Sequence, residues 1–389
     1  MFNIRTYNAI SSKGLSRFSA DKYTVSSESA SPEGVLLRSQ KLHTEVLPES
    51  VLAAARAGAG TNNIPTEDYT EQGIVVFNTP GANANAVKEL IVAGLLLGSR
   101  DIFGGMNYVQ ELGDMHDSGE MGKLLEKEKK RFAGSEITGK TLGVVGLGAI
   151  GSIIANLALD LGMNVIGYDP AISVEAAWQL SSQVERMESI EALLARADFI
   201  TLHVPAIPAT KHLINKDTLA LMKSSAKILN FAREEIVSTD DMVAALDSGT
   251  IAGYISDFPA PALLGRKDVL LMPHIGASTE EAEENCAMMA ADQLMDYLEN
   301  GNIVNSVNFP ATKMPRNGGY RITFCNENVP KVLGNVLSLL ADRSMNVIDM
   351  VNKSRDDIAY NIVDVETEPT AELLEEIRNV DGIVVVRSL

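Results

Sequence analysis

The chain has 389 residues, of which 46% are hydrophobic and 22% are charged, so it has enough apolar residues to form buried cores. At about 100 to 200 residues per domain, this length predicts two or three domains. Lys and Arg number 33 against 51 Asp and Glu, which gives a formal net charge of −18. A chain this acidic is not expected to bind nucleic acid, because the phosphate backbone repels it.

Only Cys286 and Cys325 are present, which is too few for a disulfide framework and indicates a reducing compartment. The first residues lack an apolar signal region. The longest apolar stretches, such as 90–97, are shorter than the roughly 20 residues that a membrane span needs. We therefore expect a cytoplasmic protein without a membrane segment.

The first part of the chain alternates short apolar runs with helical stretches, which predicts a small α/β unit. Apolar runs lie at 34–38 and 73–78, and the Ala-rich segment 47–58 between them is expected to be helical. Apolar and small residues then recur at helical spacing over 83–100, which predicts a long buried helix. The charged segment 122–140 predicts an exposed helix followed by a turn.

From Thr141 onwards, apolar strands and helices alternate regularly. This alternation predicts parallel strands that are covered by helices on both faces. The composition changes to Pro, Asn and Gly near 310–319, which indicates a linker. The remaining segment, 320–389, follows the order βαββαβ and is expected to be ferredoxin-like.

A dinucleotide site is predicted where Gly146-Leu147-Gly148-Ala149-Ile150-Gly151 follows an apolar strand and opens a helix. The glycines permit a tight turn, and the helix N-terminus attracts a pyrophosphate. Asp169, which ends the next strand, can accept a hydrogen bond from a ribose 2′-hydroxyl and would repel a 2′-phosphate. The pattern therefore predicts NAD in preference to NADP, and the alternative is a glycine turn used only for packing. No metal site is predicted.

Three more segments lie where predicted strands end, at the sheet edge where open α/β sheets bind ligands: 202–205, 230–233 and 272–279. Reduction of a 2-keto acid, or oxidation of the alcohol, needs a cation for the carboxylate and carbonyl and a group that exchanges a proton. Arg233 and His274 match these two needs, and the alternatives are a surface charge and a structural loop histidine. The other histidines are expected to be surface or packing residues: His43, His116, His203 and His212.

These motifs, together with Arg38-Ser39, the segment 58–65 and PGANANAVKEL, resemble the D-isomer-specific 2-hydroxyacid dehydrogenases, and among them the members that oxidise 3-phospho-D-glycerate. The resemblance covers essentially the whole chain. It implies NAD-dependent oxidation to 3-phosphohydroxypyruvate by hydride transfer, the first step of L-serine biosynthesis. The alternatives are a dehydrogenase of another D-2-hydroxy acid and an NAD-binding regulatory protein with weak catalysis.

The resemblance also implies a domain organisation. Residues 1–88 and 276–308 would form a smaller flavodoxin-like α/β substrate-binding domain, and residues 89–275 a Rossmann-type doubly wound nucleotide domain. Residues 309–319 would link these to a C-terminal ACT domain, 320–389, which is a ferredoxin-like regulatory module. The active site would lie in the cleft between the first two domains, and a homodimer or homotetramer is expected.

Site residues carry over by position from the resemblance. Arg38 would contact the substrate phosphate with Lys41 nearby, and Gly60 and Thr61 would lie beside the substrate carboxylate. The alternative for Arg38 is a salt bridge within its own domain. The walls of the nicotinamide pocket would be formed by Val204, Pro205, Phe231, Ala232, His274, Gly276 and Ala277.

The chain departs from the family pattern at two places. Pro261 stands where members have a glutamate that pairs with the catalytic histidine, so Asp257 or another acid would have to substitute. Asp257 also aligns, after a shift of one residue, with the family aspartate that holds the nicotinamide amide. Glu234 and Glu235 follow Arg233 where the family commonly has glycine, which places two carboxylates beside the expected clamp.

In the C-terminal module, Asn326, Asn328 and Asn346 match positions that contact serine in inhibited relatives. Asparagine supplies both donors and acceptors, which an amino acid requires. L-serine is therefore a candidate effector, and the alternative is ordinary use of asparagine in turns and caps.

Overall fold

Residues 1–389 are described by a computed structural model and divide into two units. The first unit comprises Met1–Asn83 and Thr279–Leu389, and the second comprises Ala84–Ser278. None of the helices combines the length and the apolar character that crossing a membrane requires.

The first unit begins with a five-stranded parallel sheet whose order is 2-1-3-4-5. This is the flavodoxin-like order, in which the winding direction reverses between the first and third strands. The sheet therefore agrees with the predicted α/β fold. Its strands are β1 (Phe2–Thr6), β2 (Tyr23–Ser26), β3 (Gly34–Leu37), β4 (Ala53–Arg56) and β5 (Val75–Phe77), and its helices are α1 (Ser12–Leu15) and α2 (Thr66–Glu71).

The Ala-rich segment that was expected to be helical forms β4 instead. Ala53, Ala54 and Ala55 are fully buried, and β4 pairs with β3 on one side and β5 on the other. Alanine has the highest helix propensity, but propensity differences amount to less than about 1 kcal/mol per residue. The prediction was wrong because two hydrogen-bonded ladders and burial on both faces outweigh that preference.

The second unit contains a seven-stranded parallel sheet, which confirms the predicted Rossmann-type doubly wound fold. Helix 84–99 is the predicted long buried helix, and its glycines allow close packing, since a Cβ on Gly98 would lie 2.7 Å from Ile255 Cδ1. The helices are α3 (Ala84–Ser99), α4 (Ile102–Gln110), α5 (Ser118–Glu128), α6 (Ala149–Asp160), α7 (Val174–Gln179), α8 (Ile190–Arg196), α9 (Lys216–Leu219) and α10 (Thr239–Asp247). The strands are β6 (Thr141–Val145), β7 (Asn164–Tyr168), β8 (Glu185–Arg186), β9 (Phe199–Leu202), β10 (Lys227–Asn230), β11 (Gly253–Ser256) and β12 (Val269–Leu271). Their order in the sheet is β12-β11-β10-β9-β6-β7-β8.

Helix α11 (Glu280–Asn300) returns the chain to the first unit, where it packs against β3, β4 and β5. The Thr279 hydroxyl caps its N-terminus by accepting from the Ala282 N–H at 3.2 Å. Gly301 ends the helix with a left-handed φ of 70°, which glycine adopts without strain. Alanines and leucines form its buried side, so that the helix lies close to the sheet.

The C-terminal module consists of β13 (Tyr320–Glu327), α12 (Val332–Asp342), β14 (Val347–Arg355), β15 (Ile358–Val365), α13 (Ala371–Arg378) and β16 (Ile383–Ser388). Its strands form an antiparallel sheet in the order β14-β15-β13-β16. This βαββαβ order confirms the predicted ferredoxin-like fold. One face of the sheet packs on α12 and α13, and the other joins the core of the first sheet through Cys325, Tyr360 and Ile362.

The last carbonyl groups of α11 receive hydrogen bonds from the linker and the C-terminal module. Apart from Tyr297 O, which accepts from the Gly301 N–H, these carbonyls have no backbone partner inside the helix, and all of them lie at the negative end of its dipole, so cationic donors stabilise them. Arg387 donates to the carbonyls of Tyr297 and Leu298, and Arg316 donates to the carbonyl of Glu299. Arg321 donates to the carbonyl of Asn300, and the Tyr360 hydroxyl donates to the carbonyl of Gly301. These contacts fasten the C-terminal module to α11 within the first unit.

Candidate active site

The loop between β6 and α6 fits a dinucleotide pyrophosphate. Gly146 has a φ of 89°, and a Cβ there would lie 2.6 Å from the carbonyl oxygen of His203. A Cβ on Gly151 would lie 1.9 Å from the carbonyl oxygen of Gly146, so both positions require glycine. Gly148 and Ala149 are exposed at the start of α6, and no atom lies within 4 Å of a Cβ added at Gly148. Open space therefore faces the N–H groups of the helix N-terminus.

Asp169 follows β7 and contacts this loop. Its Oδ2 accepts from the Leu147 N–H at 2.8 Å, and its Oδ1 accepts from the Ala171 N–H at 2.8 Å. Each carboxylate oxygen has a further lone pair, so the group can still accept from a ribose hydroxyl. Ile150, also predicted in this site, is half-buried within the first turn of α6.

The segment after β10 is held by Asn230, which is fully buried. Its Nδ2 donates to the Arg233 carbonyl at 2.9 Å, and its Oδ1 accepts from the Ala232 N–H at 3.2 Å. Phe231 is buried against α3, where a Cβ on Gly94 would lie 3.2 Å from its ring. Arg233 is half-buried, and its Nη1 donates to the Ala232 carbonyl at 2.6 Å. Sequence reasoning did not single out Asn230, although a polar residue ending a buried strand was a usable signal.

The segment after β9 lies next to the glycine loop. Val204 is half-buried, and its Cγ1 would be 3.0 Å from a Cβ on Gly146, whereas Pro205 is exposed. The His203 imidazole makes a 2.9 Å hydrogen bond with the Thr201 hydroxyl, and burial lowers its pKa to about 3. This histidine is therefore uncharged near neutral pH and has a packing role.

Asp257, which follows β11, is 1% exposed and lies at the centre of the predicted catalytic group. Its Oδ2 accepts from the Gly276 N–H at 2.9 Å, and its backbone carbonyl accepts from the His274 N–H at 2.8 Å. Its Oδ1 is buried without a hydrogen-bond partner. Burial raises the pKa of this carboxyl, and the Gly276 N–H and the charges of His274 and Arg233 oppose the rise. The structure thus brings Asp257, Arg233 and His274 together.

His274 has an exposed side chain and a left-handed backbone, with a φ of 49°, which is uncommon for a residue other than glycine. Its ring packs on Phe258 with 4.8 Å between the ring centroids. Pro261 is exposed at the start of a helical turn, Pro261–Leu263, and provides no carboxylate. Ala277 is half-buried in the loop that follows His274.

In the first unit, Arg38 follows β3 and forms a salt bridge with Glu283, with 2.7 Å between Nη1 and Oε1. This contact is the alternative that the sequence left open for Arg38. Gly60 and Thr61 are half-buried, and Lys41 is exposed. The arginine that is predicted to bind the substrate phosphate, Arg38, therefore already contacts a carboxylate of the protein, that of Glu283.

Arg56, which sequence reasoning missed, joins the two loops that carry these residues. Its Nε donates to the Arg38 carbonyl at 2.9 Å, and its Nη1 donates to the Gly60 carbonyl. Arg56 is the last residue of β4, and Arg38 directly follows β3. An arginine at the end of a buried apolar run is the sequence feature that could have identified Arg56.

Asn8 is a second missed residue and lies at the end of β1 with a φ of 64°. Its Oδ1 accepts from the Ser39 N–H at 3.0 Å and from the Gln40 N–H at 2.7 Å. The winding of the sheet reverses between β1 and β3, and ligands of open α/β sheets bind at such a reversal. Asn8 therefore fixes the Arg38 loop at the favoured edge of this sheet.

The three asparagines proposed for an effector do not meet within one chain. Asn326 is 3% exposed and bonds to the Asn361 side chain at 2.8 Å, and Asn328 donates to the Asp356 carbonyl at 3.0 Å. Asn346 precedes β14 near the opposite end of the sheet, where it donates to Glu366 at 2.8 Å.

The comparisons with known proteins agree with this geometry. Residues 104–276 match the family model for the NAD-binding domain of D-isomer specific 2-hydroxyacid dehydrogenases. The chain is 33% identical to D-3-phosphoglycerate dehydrogenase of Haemophilus influenzae over 85% of this chain and 79% of that one. The Escherichia coli K12 enzyme of the same name is 33% identical to the chain, and the match covers 88% of this chain and 82% of that one. The chain spans 56% and 49% of the longer enzymes from Methanocaldococcus jannaschii and Synechocystis.

Solved structures show the same fold. The NAD⁺-bound 3-phosphoglycerate dehydrogenase of Entamoeba histolytica has a TM-score of 0.59 and 25% identity, and the match covers 79% of this chain and 98% of that one. The TT0316 protein of Thermus thermophilus has a TM-score of 0.64 and 25% identity, with 78% and 99% covered. The NAD-binding domain and the open glycine loop confirm NAD as the cofactor. Given this identity over most of its length, the chain belongs to the D-3-phosphoglycerate dehydrogenase family of D-isomer specific 2-hydroxyacid dehydrogenases.

Proposed function

We propose that this protein oxidises 3-phospho-D-glycerate to 3-phosphohydroxypyruvate with NAD, using Arg233 and His274 for the chemistry. The observation that carries the proposal is the grouping of Arg233, His274 and Asp257 at the carboxyl edge of the sheet that also carries the glycine loop. Membership of the family supports the activity.

Several residues fit the cofactor. The backbone of 146–151 faces open space for a pyrophosphate, and Asp169 can accept from a ribose hydroxyl. The unpartnered Oδ1 of Asp257 can accept from the nicotinamide carboxamide, which would satisfy a buried polar atom. The proposed pocket walls are Val204, Pro205, Phe231, Ala232, Gly276 and Ala277. When bound at these residues, NAD would supply the hydride acceptor for C2 of the substrate.

Arg233 would hold the substrate, because a guanidinium can donate two parallel hydrogen bonds to a carboxylate or to adjacent oxygens. Its cationic charge also stabilises the developing carbonyl. His274 would accept the hydroxyl proton during oxidation and return it during reduction. The Asp257 carboxylate lies within electrostatic range of both groups, so it can stabilise their positive charges where Pro261 provides no acid.

The first unit would bind the phosphate. Arg38 supplies the charge, Lys41 lies nearby in the chain, and Arg56 holds the loops of Arg38 and Gly60 in place. Backbone groups at Gly60 and Thr61 would contact the substrate carboxylate.

The experiment measures oxidation of NADH with 3-phosphohydroxypyruvate and, separately, with hydroxypyruvate, for the wild type and Arg38→Ala. We expect kcat/KM for the phosphorylated acid to fall about 10- to 100-fold in the variant, as for a lost hydrogen bond between charged groups. The rate with hydroxypyruvate should stay within about twofold, because that acid has no phosphate. Lys13→Ala, whose exposed lysine pairs with Glu284 on the same helix as Glu283, is the matched control.

A dehydrogenase of another D-2-hydroxy acid is the second candidate, and the Arg38–Glu283 salt bridge favours it because Arg38 then has a structural role. This candidate would be identified if the wild type reduced 3-phosphohydroxypyruvate and hydroxypyruvate at equal rates and if Arg38→Ala lowered kcat/KM equally for the two acids. Binding of NADH without turnover of either acid would instead identify an NAD-binding regulatory protein.

The effector, the oligomer and the cytoplasmic location stay predictions. Since Asn346 lies far along the sheet from Asn326 and Asn328, a serine site containing all three requires a second copy of the chain. Titration of L-serine against NADH oxidation tests this, and unchanged rates at millimolar serine would contradict it.

A further inference from the structure

The N-terminal turns of α11 carry four glutamates, and two of them form ion pairs across the first unit. Glu284 contacts Lys13 with 2.6 Å between Oε2 and Nζ, and Glu283 contacts Arg38 with 2.7 Å between Oε1 and Nη1. The second pair engages the arginine that is proposed to bind the substrate phosphate. A carboxylate of the protein and a phosphate of the substrate would therefore use the same guanidinium.

We propose that Glu283 is a specificity-determining residue that competes with the substrate phosphate for Arg38. Without a ligand, its carboxylate occupies the guanidinium, and with the phosphorylated acid bound, the phosphate replaces it. This proposal rests on the proposed function, because it assumes that Arg38 binds phosphate.

The exposure of the pair makes the exchange feasible. The side chains of Arg38 and Glu283 are 38% and 45% exposed, so water already solvates both groups. Exposed ion pairs of this kind contribute about 0 to 1 kcal/mol. A phosphate ester carries a charge of about −1.5 to −2 and three acceptor oxygens, whereas the carboxylate carries −1. The phosphate therefore binds the guanidinium more strongly than Glu283 does.

The released carboxylate also has a favourable position. Glu283 lies in the first turn of α11, where the unpaired N–H groups of the helix attract negative charge. Leaving Arg38 therefore does not leave Glu283 without electrostatic support. It does leave a carboxylate close to the bound phosphate, and the repulsion lowers the affinity for the phosphorylated acid.

The other groups near Arg38 do not compete in this way. The Cys286 thiol lies within electrostatic range of Arg38 and Glu283, but burial raises its pKa, so it stays uncharged near neutral pH. Arg56 contacts the backbone carbonyl of Arg38 and positions its loop. Glu283 is thus the residue whose charge determines how readily Arg38 accepts a phosphate.

The test is calorimetric titration of 3-phosphoglycerate into the complex of the full-length protein with NADH, which cannot react because both partners are reduced. Glu283→Gln removes the negative charge and keeps the shape of the side chain. We expect the dissociation constant to fall about three- to fivefold, as removal of one exposed ion pair allows. Glu284→Gln, which alters the neighbouring pair with Lys13, is the matched control and should stay within about twofold.

Two further measurements make the result specific. Adding Glu283→Gln to Arg38→Ala should tighten the binding of 3-phosphoglycerate less than the same change does in the wild type, because the competition for Arg38 is already gone and only the repulsion between Glu283 and the phosphate is relieved. The KM for hydroxypyruvate should be the same in the wild type and Glu283→Gln, which a general structural effect would not produce.

Unchanged binding in Glu283→Gln would overturn the inference, and weaker binding would overturn it and show that Glu283 positions Arg38 for the substrate. In that case the wild type would still turn over 3-phosphohydroxypyruvate, so the proposed function would survive. A wild type that neither binds 3-phosphoglycerate nor turns over 3-phosphohydroxypyruvate would overturn both.

Discussion

Two arginine–carboxylate pairs of the first unit have the same chemistry and opposite surroundings. Arg321 and Asp364 are 0% and 1% exposed, and their two hydrogen bonds measure 2.7 and 2.8 Å. The other N–H groups of Arg321 bond to the carbonyls of Asn300, Met314 and Pro315. The pair of Arg38 and Glu283 has one contact and is more than one-third exposed on both sides.

This difference separates a structural role from a binding role. The Arg321 guanidinium is saturated and water cannot replace its partners, so the pair joins the end of α11, the linker and the C-terminal sheet permanently. The Arg38 guanidinium is only partly engaged and hydrated, so a ligand can replace its partner. Burial and hydrogen-bond saturation, more than the presence of a salt bridge, indicate which role an arginine has.

The largest expected effect tests the buried pair. Arg321→Ala should lower the free energy of unfolding by about 3 to 5 kcal/mol, because it leaves Asp364 buried and unpaired. Urea denaturation followed by circular dichroism measures the change. Replacing both residues, as Arg321→Met with Asp364→Leu, should restore much of the stability. A loss below about 1 kcal/mol in Arg321→Ala would contradict the structural role.

A smaller effect is expected for Arg387, which also joins the C-terminal module to α11. It donates to the carbonyls of Tyr297 and Leu298, and its guanidinium lies 4.9 Å from the centroid of the Tyr297 ring. Arg387→Ala should lower the free energy of unfolding by about 1 to 2 kcal/mol. The control is Arg378→Ala, because Arg378 contacts only an exposed neighbour, Glu375. Equal stability of the two variants would show that Arg387 does not fasten the module.

The smallest change in stability is expected for the exposed pair. Glu283→Gln should alter the free energy of unfolding by less than about 0.5 kcal/mol, although it changes ligand binding. The same urea denaturation measures it beside Arg321→Ala. A loss above about 2 kcal/mol would place Glu283 in the structural class and would remove the contrast between the pairs.

The sequence predicted the elements whose signals are local. The glycine loop, Asp169 and the strand-helix alternation of the second unit depend on spacing along the chain, and the structure contains them where they were expected. The segment that forms β4 was assigned wrongly, because its strand character comes from pairing with β3 and β5 and not from its alanines.

Asn230 and Arg56 carried a local signal at the end of a buried strand, whereas the roles of two other residues depend on contacts between distant segments. Asn8 matters because β1 lies beside β3, and Glu283 matters because α11 returns to the first sheet after almost 200 residues in the second unit. Nothing in the local sequence of 280–284 distinguishes Glu283 from Glu284, and only the fold shows which arginine or lysine each one meets. The roles of Arg233 and His274 were predicted from their positions after strands and stay predictions.

The most direct test of the account measures NADH oxidation with 3-phosphohydroxypyruvate for the wild type and His274→Ala. We expect a clear rate in the wild type and a fall in kcat of about 10²- to 10⁴-fold in the variant, as loss of a general acid produces. NADH binding, followed by the fluorescence of the nicotinamide, should change by less than about threefold, because the glycine loop, Asp169 and Asp257 are proposed to hold the dinucleotide and His274 contributes only one part of the pocket wall. An unchanged kcat in His274→Ala would contradict the central claim that this imidazole, held beside Asp257 and Arg233, exchanges the proton of the substrate.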